Sequence, residues 1–215
     1  MSHKAVPFVT YRKPTLGKNM NESELNQTIH KHRDELATLL EFCPRIEKLV
    51  DIDHCEQIQK FIHSHGSKWE KRSAISSLGD SLPNEQGVYM FVWTPKFSFE
   101  FDTGIVEPIN WIVYVGKAGI IDGKNDTIKS RYITEYRHYL GCNPSALWDS
   151  KAIECREQRL KKFLNLWPLS FWYLPLGETT PREIELAERQ LIRLFNPPLN
   201  VVHTRRLRPN KPEPA

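Results

Sequence analysis

The chain is poor in the features that mark most specialised classes. Its 215 residues include only four cysteines, Cys43, Cys55, Cys142 and Cys155, and no CxxC pair. A disulfide framework is therefore not expected, and isolated cysteines of this kind usually behave as small hydrophobes in a reducing compartment. Cys43, His54, Cys55, His63 and His65 lie close in sequence, but their spacing fits no common zinc finger or ribbon. No apolar run approaches the roughly 18 residues that a membrane-spanning helix requires. The opening MSHKAVPFVTYRKP has no apolar core followed by small residues, so it does not read as a secretory signal, and a cytoplasmic location is expected. Charge of one sign is also scarce: 30 Lys and Arg against 26 Asp and Glu leave a net +4, which excludes a bulk polycation. No GxxxxGK[ST], GxGxxG or HExxH sequence occurs, so ATPase, dinucleotide-enzyme and zincin readings lose their usual support. What remains is a chain 40% hydrophobic and 11% aromatic, a globular composition that excludes collagen-like, mucin-like and fully disordered classes.

Three regions can be read along it. Residues 1–80 form an N-terminal arm and helical region. After an aperiodic arm over 1–20, a capping box of Asn21 and Glu24 opens a predicted helix reaching Phe42, with Leu25, Ile29, Leu36, Leu39 and Leu40 on one face and Pro44 as the stop. A second capping box, Asp53 with Glu56, opens another helix that Gly66 closes, and a loop is expected from there to residue 80. Residues 81–202 change texture. GVYMFVW (Gly87–Trp93), WIVYV (Trp111–Val115) and LSFWYL (Leu169–Leu174) predict three strands, the first two joined by a long insertion. Helical spacing covers 127–140 and about 145–165. A last helix starts at Thr180 and Pro181, buries Ile184, Ala187, Leu191, Ile192 and Phe195, and ends at Asn196-Pro197-Pro198. Residues 203–215 are a basic tail containing Arg205 and Arg206. The expected class is α+β: a three-stranded antiparallel sheet flanked by helices, preceded by a helical region. A role in recognition or dimerisation is expected for that region.

The informative residues stand in five short segments: Gly87-Val88-Tyr89, Tyr114-Val115-Gly116-Lys117-Ala118, Arg131, Glu188, and Pro198-Leu199-Asn200. Singly, each has an ordinary explanation, as a packed tyrosine, a solvated charge or a turn asparagine. Together and in this order they resemble the GIY-YIG nuclease family over about residues 85–202, and Tyr-Val-Gly-Lys-Ala is close to the form in its bacterial excision-repair branch. The chemistry is compatible. Phosphodiester hydrolysis needs an activated water, a stabilised pentacovalent phosphate and a stabilised leaving oxygen. Two tyrosines on neighbouring strands can place two phenol oxygens on one face of a sheet. A phenol acting as base needs a nearby cation, for which Lys117 is the sequence candidate.

The resemblance implies a GIY-YIG-type core and a role for each residue. Tyr114 would be the general base, Tyr89 would orient water or phosphate, and Arg131 would clamp the scissile phosphate with its guanidinium fork. Glu188, preferred to Glu185 because it stands four residues before Ile192, would hold a single Mg²⁺ or Mn²⁺, and Asn200 would brace the site. In the family a tyrosine or histidine commonly follows the arginine by four residues. Here that position is Glu135, leaving Tyr136, brought in by a helix irregularity, or His138 as the replacement. From Lys117 to Lys162, ten Lys and Arg stand against six Asp and Glu; with the tail, this basic excess forms a candidate DNA-facing stripe including Lys129, Arg131, Arg137 and His138. The helix carrying Arg156, Arg159, Lys161 and Lys162 reads equally well as merely solvated. The six tryptophans and Phe97, Phe99 and Phe101 default to packing rather than base stacking. The expected function is a metal-dependent DNA endonuclease, restriction-like or defence-associated, with double-stranded DNA and a second copy of the chain as partners and no membrane. A structure-specific repair or recombination nuclease and a non-catalytic DNA-binding module are the alternatives.

Overall fold

The computed structural model describes residues 22–64, 68–121, 124–151 and 153–200. In chain order the elements are α1 (Glu22–Lys31), α2 (Ile46–Leu49), α3 (Ile52–Ser64), β1 (Glu70–Ser73), β2 (Gly87–Trp93), β3 (Ser98–Glu100), β4 (Val106–Pro108), β5 (Trp111–Ala118), β6 (Ile120–Ile121), β7 (Lys124–Asn125), α4 (Ile128–Arg131), a π-turn over Tyr132–Tyr136, α5 (Arg156–Phe163), β8 (Leu169–Pro175) and α6 (Pro181–Phe195). Two 3₁₀ turns, Ser76–Ser81 and Pro144–Trp148, complete the set.

The mixed α+β class is as expected, but the central antiparallel sheet has four strands, in the order β1-β8-β2-β5, where the sequence indicated three. The added strand, Glu-Lys-Arg-Ser, has no apolar alternation because it lies at the sheet edge. Its stem atoms and charges find partners across the pair, with Lys71 over the Trp172 ring and Tyr173 donating to Glu70 at 2.8 Å. The sheet thus takes in residues on both sides of the boundary expected at residue 81. The long insertion between the first two apolar strands forms the separate β3–β4 hairpin, and β6 pairs with β7.

Period-2 alternation sorts β2 onto two buried faces. Tyr89 and Phe91 face a core completed by Tyr132, Tyr136, Leu160 and Phe171, under the segment from α4 to α5. Val88, Met90 and Val92 face the other core, closed by Ile58 of α3 and by Ile184, Ala187 and Leu191 of α6. The sheet is therefore sandwiched between two helical layers, and its face toward α4 and α5 is the aromatic one.

Other expectations change in detail. The helix expected from 21 to 42 stops at Lys31. Beyond it the chain runs extended, with Thr38 N–H donating to Leu147 O at 2.8 Å and Phe42 against Trp111, while Leu36 and Leu39 face outward. Residues 38–42 bury alternate side chains, a strap rather than a helical face. The cap of α3 is Asp51, whose carboxylate accepts from His54 N–H at 3.0 Å, in place of Asp53. The helix expected over 145–165 is split into a 3₁₀ turn and the short α5, and the one over 127–140 becomes α4 plus the π-turn. The proposed cap Asn21, the stop Gly66, the arm 1–20 and the tail 203–215 lie outside the described residues. Among those residues no helix is long and apolar enough to cross a membrane.

Candidate active site

Both motif glycines are demanded by packing. A Cβ on Gly87 would stand 2.1 Å from the Leu174 carbonyl oxygen, and one on Gly116 would meet Tyr89 at 2.6 Å from its ring and 2.7 Å from its hydroxyl. The Tyr89 phenol therefore crosses β5 through the space that the absent Gly116 side chain leaves. Tyr89 pairs across the sheet with Gly116, and Phe91 with Tyr114, so both tyrosines project from the same face. Their ring centroids are 6.5 Å apart. Immediately beyond Tyr114 the ladder slips: Phe91 is opposite Tyr114 while Val92 is opposite Ile112, leaving Val113 as the extra residue of a bulge. The freed Val113 carbonyl accepts from Leu199 N–H at 3.0 Å.

Asn200 completes that attachment. Its side chain accepts from Val115 N–H at 2.9 Å and donates to Val115 O at 2.8 Å, satisfying the edge of β5 where no further strand pairs among the described residues. The segment after α6 is thereby fixed against the strand that carries Tyr114. The expectation for Asn200 is a brace for the site; its hydrogen bonds run to Val115 of β5, the strand that carries Tyr114.

The third phenol comes from the π-turn. Arg137 N–H bonds to Tyr132 O at 3.0 Å, five residues back, so the turn holds one residue more than an α-turn. The extra residue rotates Tyr136 inward. Its hydroxyl lies 2.7 Å from Tyr89 Oη and donates to Tyr114 Oη at 3.4 Å. With that donation fixed, Tyr89 donates to Tyr136, and the chain of hydroxyls runs Tyr89 to Tyr136 to Tyr114. Of the two replacements open in the sequence, Tyr136 is the one in the cluster; His138 is exposed and lies against Tyr139, with centroids 3.8 Å apart. Burial pushes the Tyr89 and Tyr136 phenols well above the ordinary phenol range; neighbouring tyrosines add to this, and Arg131 (for Tyr89) and Arg156 (for Tyr136) partly oppose it.

The cation at Tyr114 is Arg156 rather than Lys117. Arg156 Nη2 donates to Tyr114 Oη at 2.9 Å, to Tyr136 Oη at 3.1 Å and to Glu135 Oε2 at 2.9 Å. Burial works against its charge, but Tyr114 and Tyr136 outweigh that cost and hold the guanidinium firmly protonated. No local pattern in the sequence points to it. Arg156 is the first residue of α5, 42 positions from Tyr114, and only the path of the chain between the π-turn and α5 delivers it.

Lys117 instead lies with its Nζ 3.7 Å from Glu185 and 3.7 Å from Glu188, both on α6. Glu185 is also paired with Arg189. Glu188 is 17% exposed; burial raises its carboxyl above the usual range, with Lys117 and Arg131 pulling the other way and Glu185 adding to the rise. Two carboxylates thus converge loosely on one cation position, and the more buried carries charge that its neighbours only partly compensate. A hard divalent cation fits this donor chemistry, with Glu188 as principal ligand. Among the described residues there is no cluster of three or more His, Cys, Asp or Glu side chains suited to a metal, so water and substrate oxygens would supply the other positions.

Arg131 is paired with Glu135 through Nη1, and its Nε is 3.4 Å from Asp126 Oδ2 without a hydrogen bond. It lies within electrostatic reach of Tyr89 and of Glu188. Tyr89, Tyr114, Tyr136, Arg131, Lys117 and Glu188 therefore converge on the β5 side of the sheet. Of the expected DNA-facing residues, Lys129 turns to Asp80 O at 3.3 Å, Arg137 and His138 are exposed, and Arg205 and Arg206 lie outside the described residues. No protein-family model, curated protein or solved structure matches the chain.

Proposed function

We propose that the protein is a divalent-metal-dependent DNA endonuclease of GIY-YIG type, hydrolysing phosphodiester bonds at the β5 edge. The observation that carries this reading is the chain of three phenol oxygens ending at Tyr114, with a guanidinium on Tyr114 and the Glu188 carboxylate nearby. Tyr114 Oη accepts from both Tyr136 and Arg156, so neither takes its proton, which must pass to solvent before the oxygen can act as a base. An oxygen with two donors aimed at it is suited to bearing negative charge, which is what a base taking a proton from water requires. Tyr89 and Tyr136, held protonated by burial, keep their donor roles. Arg131 supplies the charge that meets the phosphate, and the cation at Glu188, when bound, polarises the phosphoryl oxygen and stabilises the leaving oxygen. Lys117, between the carboxylates, balances their charge until that cation arrives.

Plasmid cleavage with Mg²⁺, comparing wild type with Arg131→Ala and Glu188→Ala, tests the reading. Wild type is expected to nick or linearise the plasmid, and both variants to fall by at least about 100-fold, the scale for loss of one preorganised charge-stabilising group. Unchanged activity in either variant overturns the assignment. DNA binding without cleavage of any DNA form points to a binding module. One site per chain implies a homodimer for double-strand cuts, and gel filtration on DNA that shows only monomer argues against it.

A further inference from the structure

Glu135 occupies an unusual place. One carboxylate oxygen meets Arg131 Nη1 and the other meets Arg156 Nη2 at 2.9 Å, so a single anion bridges two guanidinium groups from different elements. We propose that Arg131 and Arg156 form a two-arginine clamp for a backbone phosphate, and that Glu135 fills it in the free protein as a displaceable stand-in.

The charges balance through the exchange. With Asp126 Oδ2 3.4 Å from Arg131 Nε, two guanidiniums face two carboxylates, and replacing the Glu135 carboxylate by a phosphodiester monoanion leaves the total charge unchanged. Each guanidinium gives the carboxylate one nitrogen, Arg131 Nη1 to one oxygen and Arg156 Nη2 to the other, and two oxygens of a phosphodiester can take the same two positions. Arg156 remains anchored on Tyr114 and Tyr136 when Glu135 leaves, so the clamp needs little reorganisation. The Arg156 side chain is 45% exposed, so the site can be reached from solvent. The Arg131 Nε is buried without a hydrogen bond, 3.4 Å from Asp126 Oδ2, so that edge of the guanidinium faces Asp126 while Nη1 meets Glu135. Glu135 is available for this because the π-turn gives the inward position to Tyr136, one residue later, and leaves the carboxylate beside Arg131. The carboxylate competes with DNA, and apparent affinity falls by the fraction of molecules in which it blocks the clamp.

This rests on the nuclease reading but is tested without cleavage. Binding of a short mixed-sequence DNA duplex is measured by fluorescence anisotropy in chelator, across a salt series, for wild type, Glu135→Gln, Arg156→Ala and Arg156→Lys. Glu135→Gln is expected to bind about 3–10-fold tighter, with the arginines relieved of a competing charge. Arg156→Ala is expected to bind about 10-fold weaker and to lower the slope of log K against log salt by about 0.9, the loss of one phosphate contact. Arg156→Lys should keep the slope without restoring the affinity. A purely structural role for Arg156 would lower thermal stability and leave the slope alone. If Arg156→Ala does not fold, Glu135→Gln decides. Unchanged binding in Glu135→Gln and an unchanged slope in Arg156→Ala overturn the clamp, even if wild type cleaves DNA. Absence of cleavage alongside the expected binding shifts removes the nuclease reading and leaves the clamp standing.

Discussion

A methyl group at position 116 would stand 2.6 Å from the Tyr89 ring, which is buried and has no free direction in which to retreat. Gly116→Ala should therefore destabilise the fold by about 1–3 kcal/mol through overpacking, read as a lower denaturation midpoint. An unchanged midpoint would mean that the ring moves freely. The tyrosines make a second prediction. Burial raises the phenols of Tyr89, Tyr132 and Tyr136 above the ordinary value of 10.0, so near and above that value the unfolded chain releases protons that the folded chain keeps. The resulting stability is fully present below about pH 10 and is lost as pH rises toward the folded values. Alkaline titration followed by phenolate absorbance should show three of the seven tyrosines ionising only with unfolding; smooth ionisation of all seven in the folded protein would contradict the buried cluster. Tyr89, Tyr114, Arg131, Glu188 and Asn200 could be singled out in the sequence only through the resemblance of five ordered segments to a known family, since each segment alone has an ordinary explanation. Arg156 could not, since its role depends on a contact 42 residues away in sequence.

Elements were legible where local chemistry and burial agree. The last helix carried Thr180 before Pro181 and an apolar face, and α6 spans Pro181–Phe195 with a capping box in which Thr180 Oγ1 accepts from Glu183 N–H and Glu183 accepts from Thr180 N–H at 3.0 Å. Thr180→Ala should cost about 0.5–2 kcal/mol in thermal unfolding. Because α6 carries Glu185 and Glu188, the same substitution should loosen the site as well. The strand β1 was illegible because an edge strand rich in charge shows no period of two. The helix expected to reach Phe42 failed because Leu36 and Leu39 find no surface to cover, while Leu40 and Phe42 pack on the core only in extended form. The π-turn was open in the sequence only as a conflict between Glu135 and Tyr136, which a single added residue per turn resolves. Asn200→Ala removes two buried hydrogen bonds to β5 and exposes its edge, so a loss of about 1–3 kcal/mol is expected in the denaturation midpoint.

At the scale of the molecule, a sheet between two helical layers places the aromatic cluster and the Lys117–Glu188 pair along its β5 side. Net charge of +4 hides this arrangement, because the site's cations lie beside carboxylates in the free protein: Arg131 and Arg156 share Glu135, and Lys117 lies between Glu185 and Glu188. Substrate phosphate and a divalent cation are each expected to enter by exchange: phosphate for Glu135 at the arginines, metal for Lys117 at Glu188. The most direct test of the nuclease claim is the chemistry of the ends formed when a diverse duplex pool is incubated with the protein and Mg²⁺. Attack of water with a leaving 3′-oxygen should yield 5′-phosphate and 3′-hydroxyl termini, dependent on added metal and lost in Glu188→Ala. Intact DNA under every divalent cation tried, or termini formed equally well by Glu188→Ala, would contradict it.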